Sequence, residues 1–432
     1  MMEVPTLTIV KRNPMRIRTL LNDCQKFKSF VYRKEYTEIV DGELALIIEI
    51  AERKNSRPIC SCCGRTGSQY DRVANVRDDQ FIPLWGYQVY FRYQRRRVNC
   101  PYCGVKVEQV PWVQGKQKLT DTFKVYLAQW ARRLSWKEVA EVFQTSWDHV
   151  YQSVKFVVEY GLSKRDLENI EAIGVDEVQY GKGHQYITLV YQLDNDNKRL
   201  LYVGKNRTAK TLLRFFYQLG KARCSGIKYV CSDMWKAYIK VIKKKIPQAL
   251  HILDRFHIVQ MLNKAVDEVR RTEAKKLKSE GYDEILKHTK YCFLKNEENL
   301  THKQSMKLDE VLQYDLKSVR AYLYKESFQA FWKYNSPYWA NWFLRKWCGK
   351  AMRSQLDPIK KFVKTVRNHQ SLMMNWFKAK KQYSSGAVEG MNRKVNLVTR
   401  KAYGFRQYET LEIALFHTMG QLPEPESTHR FF

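Results

Sequence analysis

Between Glu171 and Asp254 the chain sets out a succession of elements that few folds accept. Three segments of strand character come first, EAIGVDEV, HQYITLVYQLD and RLLYVGKNR, separated by connections short enough for a meander. A helical stretch, TAKTLLRFFYQLG, is followed by the strand IKYVCSD, the helix MWKAYIKVIKKK and the strand ALHILD. Apolar runs or alternation mark the strands, and a 3.6-residue period marks the helices. A meander followed by strand and helix in alternation predicts one mixed sheet, because strands joined through helices pair parallel.

What flanks this core predicts a multidomain α+β protein. From about Ile258 to Lys380 the periodicity is helical, and five of the eleven tryptophans fall there: Trp332, Trp339, Trp342, Trp347 and Trp376. This region reads as an all-helical insertion with those indoles in its core. The last readable elements are SSGAVEGMNRKVNLVTRKAYGF, a helix with a serine N-cap at Ser384 or Ser385, and ETLEIALFHTMG; the tail QLPEPESTHRFF is expected to fray. The element order is that of a ribonuclease-H-like α/β catalytic domain interrupted by a large insertion. It divides into a first part at residues 166–260, the insertion at 261–380 and C-terminal helices at 381–432.

Five of the ten cysteines crowd into CSCCG and NCPYCG, on either side of the alternating stretch QVYFRYQRRRV. Two Cys-x-x-Cys-Gly knuckles flanking a hairpin predict a zinc-ribbon-like unit within residues 1–110. One structural Zn²⁺ would be held by Cys60, Cys63, Cys100 and Cys103, the glycine after each pair permitting a tight turn. Cys62 competes with Cys60 or Cys63, since spacing alone separates them. Within residues 111–165, SWKEVAEVFQTSWDHVYQSVKFVVEYG reads as helix, turn, helix. Val139, Val142 and Phe143 share one apolar face, Val150, Val154 and Val157 another, and Ser146 caps the second helix. A helix-turn-helix would offer Asp148, His149, Gln152 and Ser153 to a DNA groove; an ordinary helical hairpin has the same pattern.

Lys and Arg number 76 against 44 Asp and Glu, a formal charge of +32. Such an excess repels itself in a compact chain unless a polyanion neutralises it. The basic runs, Arg92 to Arg97, Lys240 to Lys245 and Arg393 to Lys401, lie within periodic segments and not in a tail. The expected partner is therefore double-stranded DNA along a folded surface, with Arg95, Arg96, Arg97, His149, Gln152, Arg393, Lys394, Arg400 and Lys401 as contacts. No run approaches 18 apolar residues, and MMEVPTLTIVKRNP has no apolar segment followed by a cleavage site. No membrane partner is expected, and the expected location is the cytoplasm, associated with the nucleoid.

Asp176 is read as ending the first strand of the meander and Asp233 as ending the fourth, strands that lie side by side in a ribonuclease-H-like sheet. Glu389 arrives from the helix after the insertion. Carboxylate oxygens suit Mg²⁺ or Mn²⁺, and two such ions balance charge on the entering and leaving oxygens of phosphodiester chemistry. Glu177 is set aside because neighbours along a strand point to opposite faces. Asp194 and Asp196 belong to a turn. Asp254, ending the fifth strand in LDRFHI, rivals Asp233 or supports the site together with His257.

The paired knuckles, GVDE, CSDMWKAY, LDRFHIV and SSGAVEGMNRKVNLVTRKAYGFRQYE together resemble the insertion-sequence transposases of the ISL3 family, over nearly the whole chain. EG-x-N-x-K with the following YGFR is the most specific part. The resemblance implies a DDE transposase with Asp176, Asp233 and Glu389 as catalytic residues. It would bind the element's terminal inverted repeats and target DNA, cleave and transfer strands, and work as a homodimer or larger assembly when two ends are synapsed. Two other readings remain open: a zinc and helix-turn-helix regulator with a vestigial catalytic fold, and a nuclease that cuts without joining.

Overall fold

A computed structural model describes residues 16–426, apart from 116, 182, 195–196, 283–284, 383–384 and 403. The chain divides into two compact units, one built from the residues up to Arg165 with those from Glu409 onward, the other from Asp166 to Tyr408.

In the first unit α1 (Ile17–Cys24) precedes seven strands: β1 (Phe30–Val40), β2 (Glu43–Glu52), β3 (Ser68–Arg72), β4 (Arg77–Leu84), β5 (Tyr87–Tyr93), β6 (Arg96–Cys100) and β7 (Gly104–Val107). Asp41-Gly42 and Trp85-Gly86 carry left-handed φ at both positions, the geometry that lets two-residue turns close the β1/β2 and β4/β5 hairpins. The strands form two sheets, β1-β2-β5-β4 and β3-β6-β7. The hairpin expected between the cysteine knuckles is β4/β5, and it pairs into the first sheet. Alternation along β5 turns Val89, Phe91 and Tyr93 inward, where Tyr93 and Phe30 meet the buried ring of Trp112 edge-on.

Three helices follow: α2 (Asp121–Ala131), α3 (Trp136–Val142) and α4 (Trp147–Lys164). Ser135 and Glu138 form a capping box on α3, and Ser146 caps α4 by accepting from the His149 N–H. Val139, Val150, Val154 and Val157 are buried as expected, but Val142 is 61% exposed. At the other end of the chain, Glu424 pairs with Arg132 at 2.5 Å, and Gly161 leaves room for Leu422, which a Cβ there would approach to 2.5 Å. The tail predicted to fray is thus seated as far as Glu426; residues 427–432 lie outside the described residues.

The second unit opens with β8 (Ala172–Gly181), β9 (Gln185–Asp194) and β10 (Asn197–Lys205), then α5 (Ala209–Leu219), the short α6 (Lys221–Ser225), β11 (Tyr229–Ser232), α7 (Lys236–Lys245) and β12 (Leu250–Leu253). The sheet order is β10-β9-β8-β11-β12, antiparallel from β10 to β8 and parallel from β8 to β12. One face, with Ile173, Val175 and Val230, packs on Leu212, Phe215 and Phe216 of α5 and Tyr238 and Val241 of α7. From α8 (Arg255–Ser279) the chain is helical: α9 (Lys290–Leu294), α10 (His302–Leu312), α11 (Lys317–Gln329), α12 (Pro337–Met352), α13 (Asp357–Asn368) and α14 (Gln370–Lys378). Trp332, Trp347 and Trp376 are in its core, whereas Trp339 and Trp342 are exposed, contrary to expectation. The helix α15 (Ser385–Lys401) returns to the sheet; the cap expected at Ser384 and the turn residue Asp196 lie outside the described residues. The final helix, α16 (Tyr408–Met419), belongs from Glu409 onward to the first unit and not with α15.

Candidate catalytic face and cysteine cluster

Asp176 lies within β8 and not at its end, since β8 continues to Gly181 alongside β9 while its parallel neighbour β11 stops at Ser232. The β8/β11 register pairs Gly174 with Cys231, which sets Asp176 level with the point where the parallel strands finish. Asp233 follows β11 directly. Asp254 follows β12 and caps α8, accepting from the Phe256 N–H at 2.6 Å. Asp176, Asp233 and Asp254 are therefore level across three adjacent parallel strands, the last two just beyond the carboxyl ends of β11 and β12, where α/β sheets commonly bind ligands.

Gly174 permits the close approach of α15, because a Cβ there would lie 2.6 Å from Val388 Cγ2. Docked this closely, α15 presents Asn392 to Asp176: Nδ2 donates to Oδ2 at 2.5 Å, and Asn392 Oδ1 accepts from the Tyr191 hydroxyl at 2.8 Å. Oδ1 of Asp176 accepts from the Glu177 N–H at 2.8 Å. Burial pushes the Asp176 carboxyl above its ordinary range; the Glu177 amide, His257 and Asn392 oppose the shift, and Asp254 adds to it. His257 stands 3.7 Å from Asp254 on the first turn of α8. Glu389, one turn before Asn392, is half-buried and paired with Arg393 at 2.7 Å.

Alternation sends Glu177 to the other face of β8, as expected, and that face has its own acidic arrangement. Arg207 bridges two carboxylates, its Nε 2.8 Å from Glu177 and its Nη2 3.0 Å from Asp233. Asp233 also accepts from the Trp235 N–H at 3.0 Å. The Glu177 side chain is only 8% exposed, and burial, followed by repulsion from Asp233, raises its pKa to about 7. The structure thus brings Asp176 together with Asn392, Asp254 and His257, Asp233 with Glu177 and Arg207, and Glu389 with Arg393. Asn392, Tyr191 and Arg207 escaped the sequence reading; the one signal for Asn392 was its place in EG-x-N-x-K.

In the first unit the Sγ atoms of Cys60, Cys63, Cys100 and Cys103 all lie within 4.8 Å of one another, with Cys63 and Cys100 3.5 Å apart. Zn–S bonds of about 2.3 Å require sulfur separations of about 3.8 Å in a tetrahedron, so the four thiols fit a structural zinc. Gly64 and Gly104 both take φ of 70°, the matching turn of each knuckle. Backbone N–H groups of Tyr102 and Cys103 draw the Cys100 thiol down to about 7, whereas hydrogen bonds among the crowded thiols push Cys103 up. Cys62 is exposed and is not one of the four thiols that gather.

The arginines beside this cluster depart from expectation. Arg96 is 2% exposed and locked on the buried Glu108 at 2.8 Å, so it cannot reach a phosphate. Arg95 is desolvated beside Asp79 at 3.4 Å, and Arg97 is paired with Asp71. Acidic partners that a count of charges does not reveal hold all three side chains, Arg95 and Arg96 in the interior and Arg97 at the surface. On α4, Ser153 is buried and donates to the His149 carbonyl, and His149 braces the turn through Thr145 at 2.9 Å. Gln152 is half-buried; on α15, Arg393, Lys394 and Arg400 are exposed and Lys401 is half-buried.

Residues 173–415 match the family model of the DDE transposases of the ISL3 type, described simply as a transposase, and the match spans more than half of the chain. The chain belongs to the ISL3 transposase family. It is 29% identical over 356 residues to the transposase for insertion sequence element IS1001 of Bordetella parapertussis, covering 81% of this chain and 86% of that one. It is also 29% identical over 420 residues to the transposase for IS1557 of Mycobacterium tuberculosis, covering 91% and 94%. Among the described residues no helix is long and apolar enough to cross a membrane.

Proposed function

We propose that this transposase binds the terminal inverted repeats of its own element, cleaves DNA strands there and joins the freed ends to target DNA, using two Mg²⁺ or Mn²⁺ ions. The observation that carries the reading is the register that sets Asp176 of β8 level with Asp233 and Asp254, which directly follow the adjacent parallel strands β11 and β12, with the helix of Glu389 docked against Gly174. The adjacency of β8 and β11 in the sheet supports a ribonuclease-H-like reading of this domain. Asp176, Asp233 and Glu389 would hold the ions, an all-oxygen donor set suited to these hard cations. When bound, the ions balance charge on the entering and leaving oxygens.

The chain's own residues supply the rest. Asn392 and Tyr191 orient Asp176, Arg207 holds Asp233, and Asp254 with His257 flanks the Asp176 carboxylate. Arg393, Lys394 and Arg400 lie exposed on α15, where they would bind backbone phosphates that fix register without reading sequence. The helices α2 to α4 would act as a helix-turn-helix reading the repeats, with the zinc cluster as structural support. Synapsis of two ends calls for a homodimer or larger assembly, and a DNA-bound protein of this charge would sit on the nucleoid.

The test is nicking and strand transfer on end-bearing DNA with Mg²⁺. Asp176→Ala, Asp233→Ala and Glu389→Ala should lose both activities and retain DNA binding. If Asp254→Ala is inactive while Asp233→Ala is not, the second position of the triad belongs to Asp254. Variants that change nothing would replace this reading by the regulator, and cleavage without joining of pre-cleaved ends would replace it by a nuclease.

A further inference from the structure

On the side of the sheet away from Asn392, α5 and α7 diverge to leave an open cleft of 520 Å³. Ala209, Leu213 and Tyr217, at successive i to i+4 positions, form its α5 wall. Ala237 and Val241 of α7 complete an apolar floor closed at one end by Trp235. Along the α7 rim run Lys236, Lys240 and Lys244, all exposed, and among the described residues no carboxylate lies within ion-pairing distance of them. Tyr217 at the far end is 71% exposed and carries the Lys245 ammonium 3.9 Å from its ring centroid.

We infer that this cleft binds a single DNA strand, with successive phosphates on Lys236, Lys240 and Lys244 and one unstacked base resting in the apolar floor between Trp235 and Tyr217. Three observations combine. The lysines repeat every four residues, about 6 Å along the helix, a step comparable to that between neighbouring phosphates of an extended strand. The volume lies in the range of about 300–1,000 Å³ found for small-ligand sites and so admits a nucleotide, whereas a duplex is too wide to enter. Basic rims beside aromatic platforms are how proteins hold single strands without regard to sequence.

The cleft also adjoins Asp233. The Trp235 N–H donates to Asp233, and the Trp235 ring lies 4.9 Å beneath the Arg207 guanidinium that pairs with the same carboxylate. A strand held in the cleft therefore leads directly to Asp233. This places the site beside the chemistry proposed above and rests on that reading for its biological purpose. The binding itself does not depend on it.

The experiment uses the full chain in EDTA, so that no strand chemistry contributes, and measures by fluorescence anisotropy the binding of labelled oligothymidylate and of a mixed-sequence duplex at several salt concentrations. Lys240→Ala/Lys244→Ala should weaken oligothymidylate binding at least about tenfold and reduce its salt slope by about 1.4, the share of two phosphate contacts on a single strand. Leu213→Trp, which fills the floor and leaves every charge in place, should weaken oligothymidylate binding about tenfold, the size of one lost base stack, while duplex affinity holds. Unchanged oligothymidylate affinity in both variants overturns the inference. Equal losses for oligothymidylate and duplex overturn it as well, since they assign the lysines to duplex backbone. If Leu213→Trp fails to fold, the lysine pair, exposed on a helix surface, decides alone through the difference between the two DNAs. A wild-type chain that binds oligothymidylate in the cleft but performs no strand transfer with Mg²⁺ would refute only the catalytic reading.

Discussion

Replacing Gly174 with alanine tests whether the docking of α15 sets the candidate catalytic face. The added methyl would stand 2.6 Å from Val388 Cγ2 and 3.0 Å from Leu193 Cδ1. Carbon contacts become favourable only at about 3.5 Å, so α15 has to withdraw by roughly 1 Å or the strand has to bend. Overpacking of this kind costs about 1–3 kcal/mol, a fall in Tm of roughly 3–10 °C for a unit of this size. The larger effect falls on geometry. Asn392 sits one turn beyond Val388 and holds Asp176 at 2.5 Å, so a withdrawal of roughly 1 Å breaks that bond and moves Glu389, a misplacement worth about 100-fold in rate. Nicking of end DNA and thermal unfolding read the two effects separately. Val388→Ala in the same chain removes the principal clash and should return most of the activity. Wild-type activity and Tm in Gly174→Ala, or no recovery in the double variant, would refute the claim that close packing at Gly174 positions the helix.

Other consequences follow from single contacts. Asn392→Leu should destabilise the second unit by about 1–3 kcal/mol, because it strips partners from Asp176 and the buried Tyr191 hydroxyl; Arg393→Ala, which loses only an i to i+4 surface pair, should leave stability nearly unchanged. Glu177 binds its proton more tightly in the folded chain, where its pKa is about 7, than in the unfolded one. Its contribution is therefore complete below the ordinary glutamate range and lost as pH rises through 7, so wild-type stability should fall from pH 5 to pH 8. Glu177→Gln should flatten that fall by on the order of 2–4 kcal/mol in chemical denaturation, and an unaltered pH profile would count against the buried carboxyl. Chelation should release one zinc per chain and unfold the β3-β6-β7 sheet, as seen by a metal-sensitive dye and circular dichroism; Cys100→Ser should purify without zinc, whereas Cys62→Ser should retain it.

Legibility in the sequence tracked the range of the interactions. Strand and helix order in the second unit could be read because period and turn chemistry are local, and the same holds for the Ser146 cap and the paired cysteines with their left-handed glycines. The errors have a common origin. Arg92 to Arg97 looked like a phosphate-binding stripe, yet Asp71, Asp78 and Asp79 on other strands and Glu108 just after β7 pair with its arginines. Asp176 looked like a strand end because the apolar run stops there, whereas β9 carries the ladder on to Gly181. The tail after Met419 looked unanchored because the side chains that seat it, Arg132 and Gln129, come from α2 and its C-terminal end.

The sequence by itself determined the family, the succession of strands and helices in the second unit, the paired cysteine knuckles and a short set of candidate carboxylates. The tertiary structure alone decided which partner each carboxylate has. Asp176 is oriented by a side chain 216 positions away, and Asp233 is held by Arg207, which also restrains the glutamate that strand alternation had set aside. The physical reason is that hydrogen bonds and ion pairs of this kind are made between elements, after the sheet and helices have assembled. Their geometry depends on a few tenths of an ångström of packing, such as the space left by Gly174, and leaves no local period in the chain.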